Sequence, residues 1–158
     1  MTDSVRKQMW KAMEESPFLM LKLNESGDHA VPMEAHLDSH AHGEFWFYTS
    51  RTNRLAPGGK AMAQFISKDH DLFCCISGTL VEERDPAVID RYWSNTVAAW
   101  YDKGRDDPAL LMLRFELDDA EIWTLDRSLK GMFKLLTGKR AHDDEMGVHT
   151  TVDLHATH

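Results

Sequence analysis

Between positions 49 and 60 an acidic chain gathers hydroxyls and positive charge. The string Thr49-Ser50-Arg51-Thr52-Asn53-Arg54, followed by Lys60, supplies three hydroxyls and three cations in a chain of formal net charge −8. Phosphate binding needs that combination, because a phosphoryl group is held by neutral donors together with at least one cation. A merely solvated polar turn is the other reading, and the string leaves both open. Histidines form a second candidate group: His36, His40 and His42 lie close together. Metal coordination is the chemistry to consider there, but no cysteine or spaced carboxylate completes a ligand set, so none is expected. Cys74 and Cys75 are the only cysteines. Adjacent residues of a strand point to opposite faces, so these read as free thiols in a reducing compartment.

The elements that must position these groups are mostly strands. Phe45-Trp46-Phe47-Tyr48, the run 61–67 and the run 72–81 are rich in aromatic and β-branched residues and are separated by Gly, Pro, Asn and Asp. That pattern predicts a strand meander at the heart of a small β-barrel. Alternation puts Phe45, Phe47 and Thr49 on one face of the first strand and Trp46, Tyr48 and Ser50 on the other. With large apolar groups on both faces, that strand needs two covers. One is the barrel core; the other is a partner subunit, a helix or a flat ligand.

Upstream, Val5, Met9, Trp10 and Met13 recur at helical spacing and predict a helix over 3–16, stopped by Pro17. Residues 18–23 and 29–38 read as a hairpin about Asn24-Glu25-Ser26-Gly27-Asp28, its first strand apolar enough to be covered on both sides. Downstream, Asp85-Pro86 has the form of a helix start. Val88, Ile89, Tyr92, Trp93, Val97 and Trp100 follow as one apolar stripe. Residues 110–117 and 120–125 predict a last hairpin turning at Asp118-Asp119. Residues 128–136 predict a short helix, and 139–158 read as a disordered tail behind a single domain over 1–138.

Composition narrows the function classes. At 158 residues, 42% hydrophobic and 28% charged, the chain is an ordinary one-domain globular protein. Its negative balance excludes nucleic acid, which needs a basic footprint, and an anionic membrane surface. No apolar run spans a bilayer and no signal core opens the chain, so a cytoplasmic protein is expected. No glycine-rich nucleotide loop occurs either.

Phe47-Tyr48-Thr49-Ser50 with its turn, the strand 61–67, and the strand ending in Ser77-Gly78-Thr79-Leu80 resemble the pyridoxamine 5'-phosphate oxidase superfamily. His70-Asp71-Leu72-Phe73, the helix begun by Asp85-Pro86, and Ala120-Glu121-Ile122-Trp123 resemble its general stress protein branch, the flavin-binding split barrels. The resemblance spans 5–138. It implies a mainly β fold with flanking helices, a six- to seven-stranded split barrel. The implied cofactor is FMN or FAD, with the phosphate held by Thr49, Ser50 and Lys60, aided by Arg54. Phe47 and Tyr48 of the same strand belong to this implied site, and Met33 is implied to touch the ring. Trp123 is implied to approach it from the second subunit of a homodimer that carries its flavins at the interface.

Two departures bear on activity. Where the oxidase itself has an arginine-led strand, this chain has His29-Ala30-Val31-Pro32-Met33, and Thr124-Leu125-Asp126-Arg127 replaces its Arg-x-His motif. Turnover of pyridoxamine phosphate is therefore not expected. The implied function is that of a flavin-binding general stress protein, with oxidoreductase chemistry fed by a reduced nicotinamide as one reading. A non-enzymatic flavin-binding or sensing protein is the other. Heme, through His36, His40, His42 or His70, and deazaflavin are lesser alternatives within the same fold. No side chain stands out as acid or base, Tyr48 and His36 being the candidates.

Overall fold

The computed structural model describes residues 2–125 and 148–155. The chain opens with helix α1 (Thr2–Glu15), which buries Met9, Trp10 and Met13 on one face, as their spacing requires. Trp10 meets Phe45 edge-on, with ring centroids 5.2 Å apart. Strand β1 (Phe18–Leu23) then pairs antiparallel with β2 (Val31–Glu34), forming the expected hairpin. The return strand is broken at buried Ala35, whose N–H donates to the Pro17 carbonyl at 2.7 Å, and resumes as β3 (His36–Asp38).

The remaining strands are β4 (Ala41–Ser50), β5 (Gly59–Ile66), β6 (Leu72–Glu82), β7 (Leu110–Thr124) and β8 (Val148–Asp153). They form one eight-stranded sheet of order β2-β1-β5-β6-β7-β4-β3, with β8 joined to β7. The sheet curls until β2 approaches β4, giving the split barrel. The strand runs over 61–67 and 72–81 do pair, as β5 and β6, but β4 is not their neighbour. It lies between β3 and β7, so the meander gives way to a crossover. The turn at 51–58 makes that crossing. Gly58 at φ +68° closes it, where a Cβ would also lie 2.8 Å from the Leu80 carbonyl oxygen.

Three further expectations change. The last hairpin is instead one continuous strand, β7, because Asp118 is absorbed as a bulge opposite the Ser77/Gly78 step. Gly78 permits this close approach, since a Cβ there would sit 2.3 Å from the Glu116 carbonyl oxygen. The long helix after Asp85 divides into α2 (Pro86–Arg91) and α3 (Asn95–Ala98). Ser94 causes the break: its side chain accepts the Val97 N–H at 3.3 Å and starts a new helix. Asp85 and Pro86 do open α2 as their types suggest. Finally, residues 148–153 are not a disordered tail. They form β8 along the second half of β7, and the sparse apolar residues Val152 and Leu154 are buried. The helix expected over 128–136 lies outside the described residues.

Inside the barrel Phe45, Phe47 and Phe115 meet at centroid distances of 6.1 to 6.4 Å, and all three are fully buried. Each such ring contributes roughly 1.5–3 kcal/mol by leaving water. The opposite face of β4 has its own cover. Trp46 stacks on Tyr92 just past α2, at 5.2 Å and 28°, and Tyr48 meets Trp93 edge-on at 5.6 Å. Of the three covers considered for that face, the helical segment supplies this one.

Candidate functional site

A cleft of about 570 Å³ opens where β2, the end of β4 and α3 converge. Its size falls in the range of small-molecule sites, roughly 300–1,000 Å³. Pro32, Met33 and Glu34 come from β2; Tyr48, Thr49 and Ser50 from β4; Thr96, Val97, Trp100 and Tyr101 from α3 and the residues after it. His36 and Asn53 complete the lining. Topology creates the cleft, because β2 and β4 are brought together only when the sheet curls.

The walls are held by hydroxyl contacts. Tyr48 Oη donates to the Ile89 carbonyl at 2.5 Å, and Tyr101 Oη donates to the Thr49 carbonyl at 2.7 Å. These bonds strap the α2–α3 segment to β4 at two points. Burial, aided by Asp90, pushes the Tyr48 phenol up to about 12, so it stays protonated and acts as a donor. Burial likewise raises Tyr101. His36 lies edge-on to Tyr48 at 5.1 Å. Burial lowers its imidazole below the ordinary 6.5, with Glu34 pulling the other way, so the ring is neutral at pH 7.

Behind this wall a buried carboxylate fixes Trp46. The indole N–H donates to Glu83 Oε1 at 2.9 Å, and Arg114 Nη1 donates to the same oxygen at 3.0 Å. Burial pushes the Glu83 carboxyl up, yet the hydrogen bonds from Trp46 and Arg114 outweigh it and hold the group below its ordinary value. The Asp85 N–H leans on the other Glu83 oxygen at 3.4 Å, tying the start of α2 to the same group.

At the far end of β4 the hydroxyl turn takes shape. Ser50 Oγ lies 2.9 Å from Thr52 Oγ1 and accepts the Thr52 N–H at 3.2 Å. Asn53 Oδ1 accepts the Leu55 N–H at 2.8 Å. Arg51 forms a two-pronged pair with Glu82 at 2.9 and 3.2 Å, and Arg54 Nη1 donates to the His29 carbonyl at 3.0 Å. Both guanidinium groups are on exposed residues.

Of the residues singled out from the sequence, Met33, Tyr48, Thr49 and Ser50 meet in this one cleft. Arg54 sits on the adjoining turn. Phe47 faces the barrel interior and is fully buried, so it backs the wall without lining it. Lys60 is engaged elsewhere, with Nζ 3.1 Å from Asp118 Oδ2, and is not part of the lining. Trp123 lies on another face, in an apolar depression of about 650 Å³ with Phe18, Met20, Ile66 and Cys75. Asn53 belongs to the polar string already singled out and Trp100 to the apolar stripe, where core packing was its expected role; Tyr101 is the lining residue without a sequence expectation. An aromatic pair directly before the polar turn at 102–108 was the available signal. Among the described residues no group of three His, Cys, Asp or Glu side chains could hold a metal ion. No helix among them is long and apolar enough to cross a membrane.

The sequence profile described as "Pyridoxamine 5'-phosphate oxidase like" matches residues 3–144. The chain belongs to the pyridoxamine 5'-phosphate oxidase like family. Within that family it sits in the general stress protein branch. It shares 42% identity and a TM-score of 0.74 with a general stress family protein of Xanthomonas campestris pv. campestris, over 82% of this chain and 92% of that one. A general stress FMN/FAD binding protein of Xanthomonas citri is also 42% identical, with a TM-score of 0.73, over 80% of this chain and 93% of its own. A general stress protein 26 of Jannaschia sp. CCS1 is 24% identical over 97% and 99% of the two chains, at a TM-score of 0.77, a likeness of fold. No curated protein matches the chain.

Proposed function

We propose that this family member binds a flavin, FMN or FAD, in the cleft between β2, β4 and α3. The observation that carries the reading is the donor set at the end of β4. Ser50 and Thr52 hydroxyls sit together, the exposed Arg54 guanidinium flanks them on the same turn with Arg51 paired to Glu82, and an apolar wall with Met33 and Tyr48 adjoins. A flavin nucleotide asks for both halves, cation and hydroxyl for phosphate and a flat apolar wall for the ring. The FMN/FAD binding name of the Xanthomonas citri relative, 42% identical over four fifths of this chain, supports the same ligand. Bound flavin would supply a ring able to accept a hydride or single electrons, from a reduced nicotinamide for example. The protein's own part is to hold the ring, orient it and exclude water.

The proposal includes a homodimer. Phe18, Met20 and Ile66 are 60%, 42% and 53% exposed in the isolated chain, an apolar face that a second copy would cover. Pro32 lines both this depression and the cleft, so a second copy would lie beside the flavin and present its own residues there. The adjacent thiols Cys74 and Cys75 suit a reducing, cytoplasmic setting.

A role in binding without turnover has an observation of its own. Both phenols of the cleft, Tyr48 and Tyr101, are committed to backbone carbonyls, and burial raises both. The Tyr48 phenol thereby stays protonated near neutrality. His36 keeps a neutral ring there and is the acid–base candidate of an enzymatic reading.

Titration of the purified chain with FMN and with riboflavin, followed by flavin fluorescence, tests the reading. Both should bind, FMN more tightly. Replacing Ser50 and Arg54 together by Ala should weaken FMN at least tenfold, since a hydrogen bond to a charged group is worth about 1.5–3 kcal/mol, and leave riboflavin nearly unchanged. A chain that ignores both ligands refutes the proposal. Oxidation of reduced nicotinamide by the loaded protein would then separate an enzyme from a carrier.

A further inference from the structure

We propose that Trp100 is the ring-clamping residue of the cleft: its indole closes over the planar group of the bound flavin and fixes affinity for the ring, not for the phosphate. The inference rests on the flavin reading above and deepens it. Trp100 is 81% exposed, although its immediate surroundings are firmly anchored. Val97, one helical turn earlier, is buried, and the Trp100 N–H donates to its carbonyl at 3.0 Å. Tyr101, the next residue, is buried against Trp93 and bonded to the Thr49 carbonyl. The backbone is therefore held on both sides while the largest apolar side chain of the segment stands at the cleft. An indole left in water keeps a large apolar area exposed, and a flat ligand in the cleft would cover it.

The charge of the lining says which part of the ligand lies beneath the indole. Among the described residues no Lys or Arg lines the cleft; their ionisable groups there are Glu34, neutral His36 and two protonated tyrosines. A phosphate would be repelled by Glu34, whereas an uncharged ring would not. The turn with Arg54, whose guanidinium meets a backbone carbonyl and not a carboxylate, is the place for the anion, and the Trp100 wall is the place for the ring. Its anchored backbone also means that little ordering accompanies ligand binding.

The test compares Trp100→Ala and Trp100→Phe with the unchanged chain, using riboflavin and FMN as probes. An exposed side chain can be replaced without unfolding the protein, and far-ultraviolet dichroism verifies that. Trp100→Ala should weaken riboflavin and FMN by the same factor, about tenfold, and Trp100→Phe should restore most of the loss. Equal loss for both probes marks a ring contact. Loss for FMN alone, or riboflavin affinity within twofold of the unchanged chain, overturns the assignment. So does a change in sedimentation with affinity intact, which would place Trp100 in a subunit contact. If the unchanged chain binds neither probe, the flavin reading itself fails and this assignment falls with it.

Discussion

The two outer faces of the barrel carry similar apolar residues and are treated in opposite ways. On the cleft side Trp46 and Tyr48 of β4 are covered by α2, Tyr92 and Trp93, and every strap is made within the chain. On the other side Phe18, Met20 and Ile66, on β1 and β5, have no such helix over them among the described residues and are exposed. The two faces meet at Pro32, which belongs to both hollows. The difference teaches that an aromatic strand does not by itself say what covers it. Where the chain returns with a helical segment it builds a wall and a cleft; on the other face the described residues leave apolar side chains exposed, and there we place the proposed second copy.

The largest expected effect comes from the barrel interior that both faces share. Phe45→Ala should cost about 3–5 kcal/mol in urea unfolding, because a fully buried ring leaves a cavity. A loss under 1 kcal/mol would mean that the interior is not the common support of the two faces.

A middle-sized effect belongs to the covered face alone. Glu83→Gln should cost about 1.5 kcal/mol at pH 7, since the charge that receives Trp46 and Arg114 is removed. The folded Glu83 carboxyl sits below the ordinary 4.5, so its contribution is complete above about pH 4.5 and fades as pH falls through the lower folded value. The gap between variant and unchanged chain should therefore shrink below that pH. A gap constant from pH 7 to pH 3 would remove Glu83 as the anchor of the Trp46 wall.

The smallest effect on folding, and the sharpest contrast, is expected on the open face. Phe18→Ser with Ile66→Ser should change the stability of the single chain by less than about 1 kcal/mol, as exposed substitutions do. In sedimentation the same pair should shift the proposed dimer towards monomer. An unchanged dimer would place the subunit contact elsewhere.

Local pattern made some elements legible. Helix α1 followed from Met9, Trp10 and Met13, and Asp85-Pro86 marked a helix start, because capping and spacing are properties of a few neighbouring residues. The grouping of Met33 with Tyr48, Thr49 and Ser50 came from resemblance, and the cleft does bring those four together. Lys60 is close to the hydroxyl turn in sequence but does not line the cleft. The crossover after residue 50 carries β5 to another part of the sheet, where Lys60 pairs with Asp118. Tyr101 was passed over because its role, donating to the Thr49 carbonyl, joins residues 52 positions apart.

By itself the sequence determined which stretches alternate, where turns and caps fall, and that positive charge and hydroxyls gather after an aromatic strand. Those features depend on bond geometry and solvation over a few residues. Only the tertiary structure decided that β4 lies beside β7 and not β5, that Asp118 becomes a bulge inside one long strand, and that α3 sets Trp100 at a cleft against Met33. Strand partners are chosen by how the whole sheet buries its apolar faces. That choice weighs residues far apart in the chain, so no single stretch carries it.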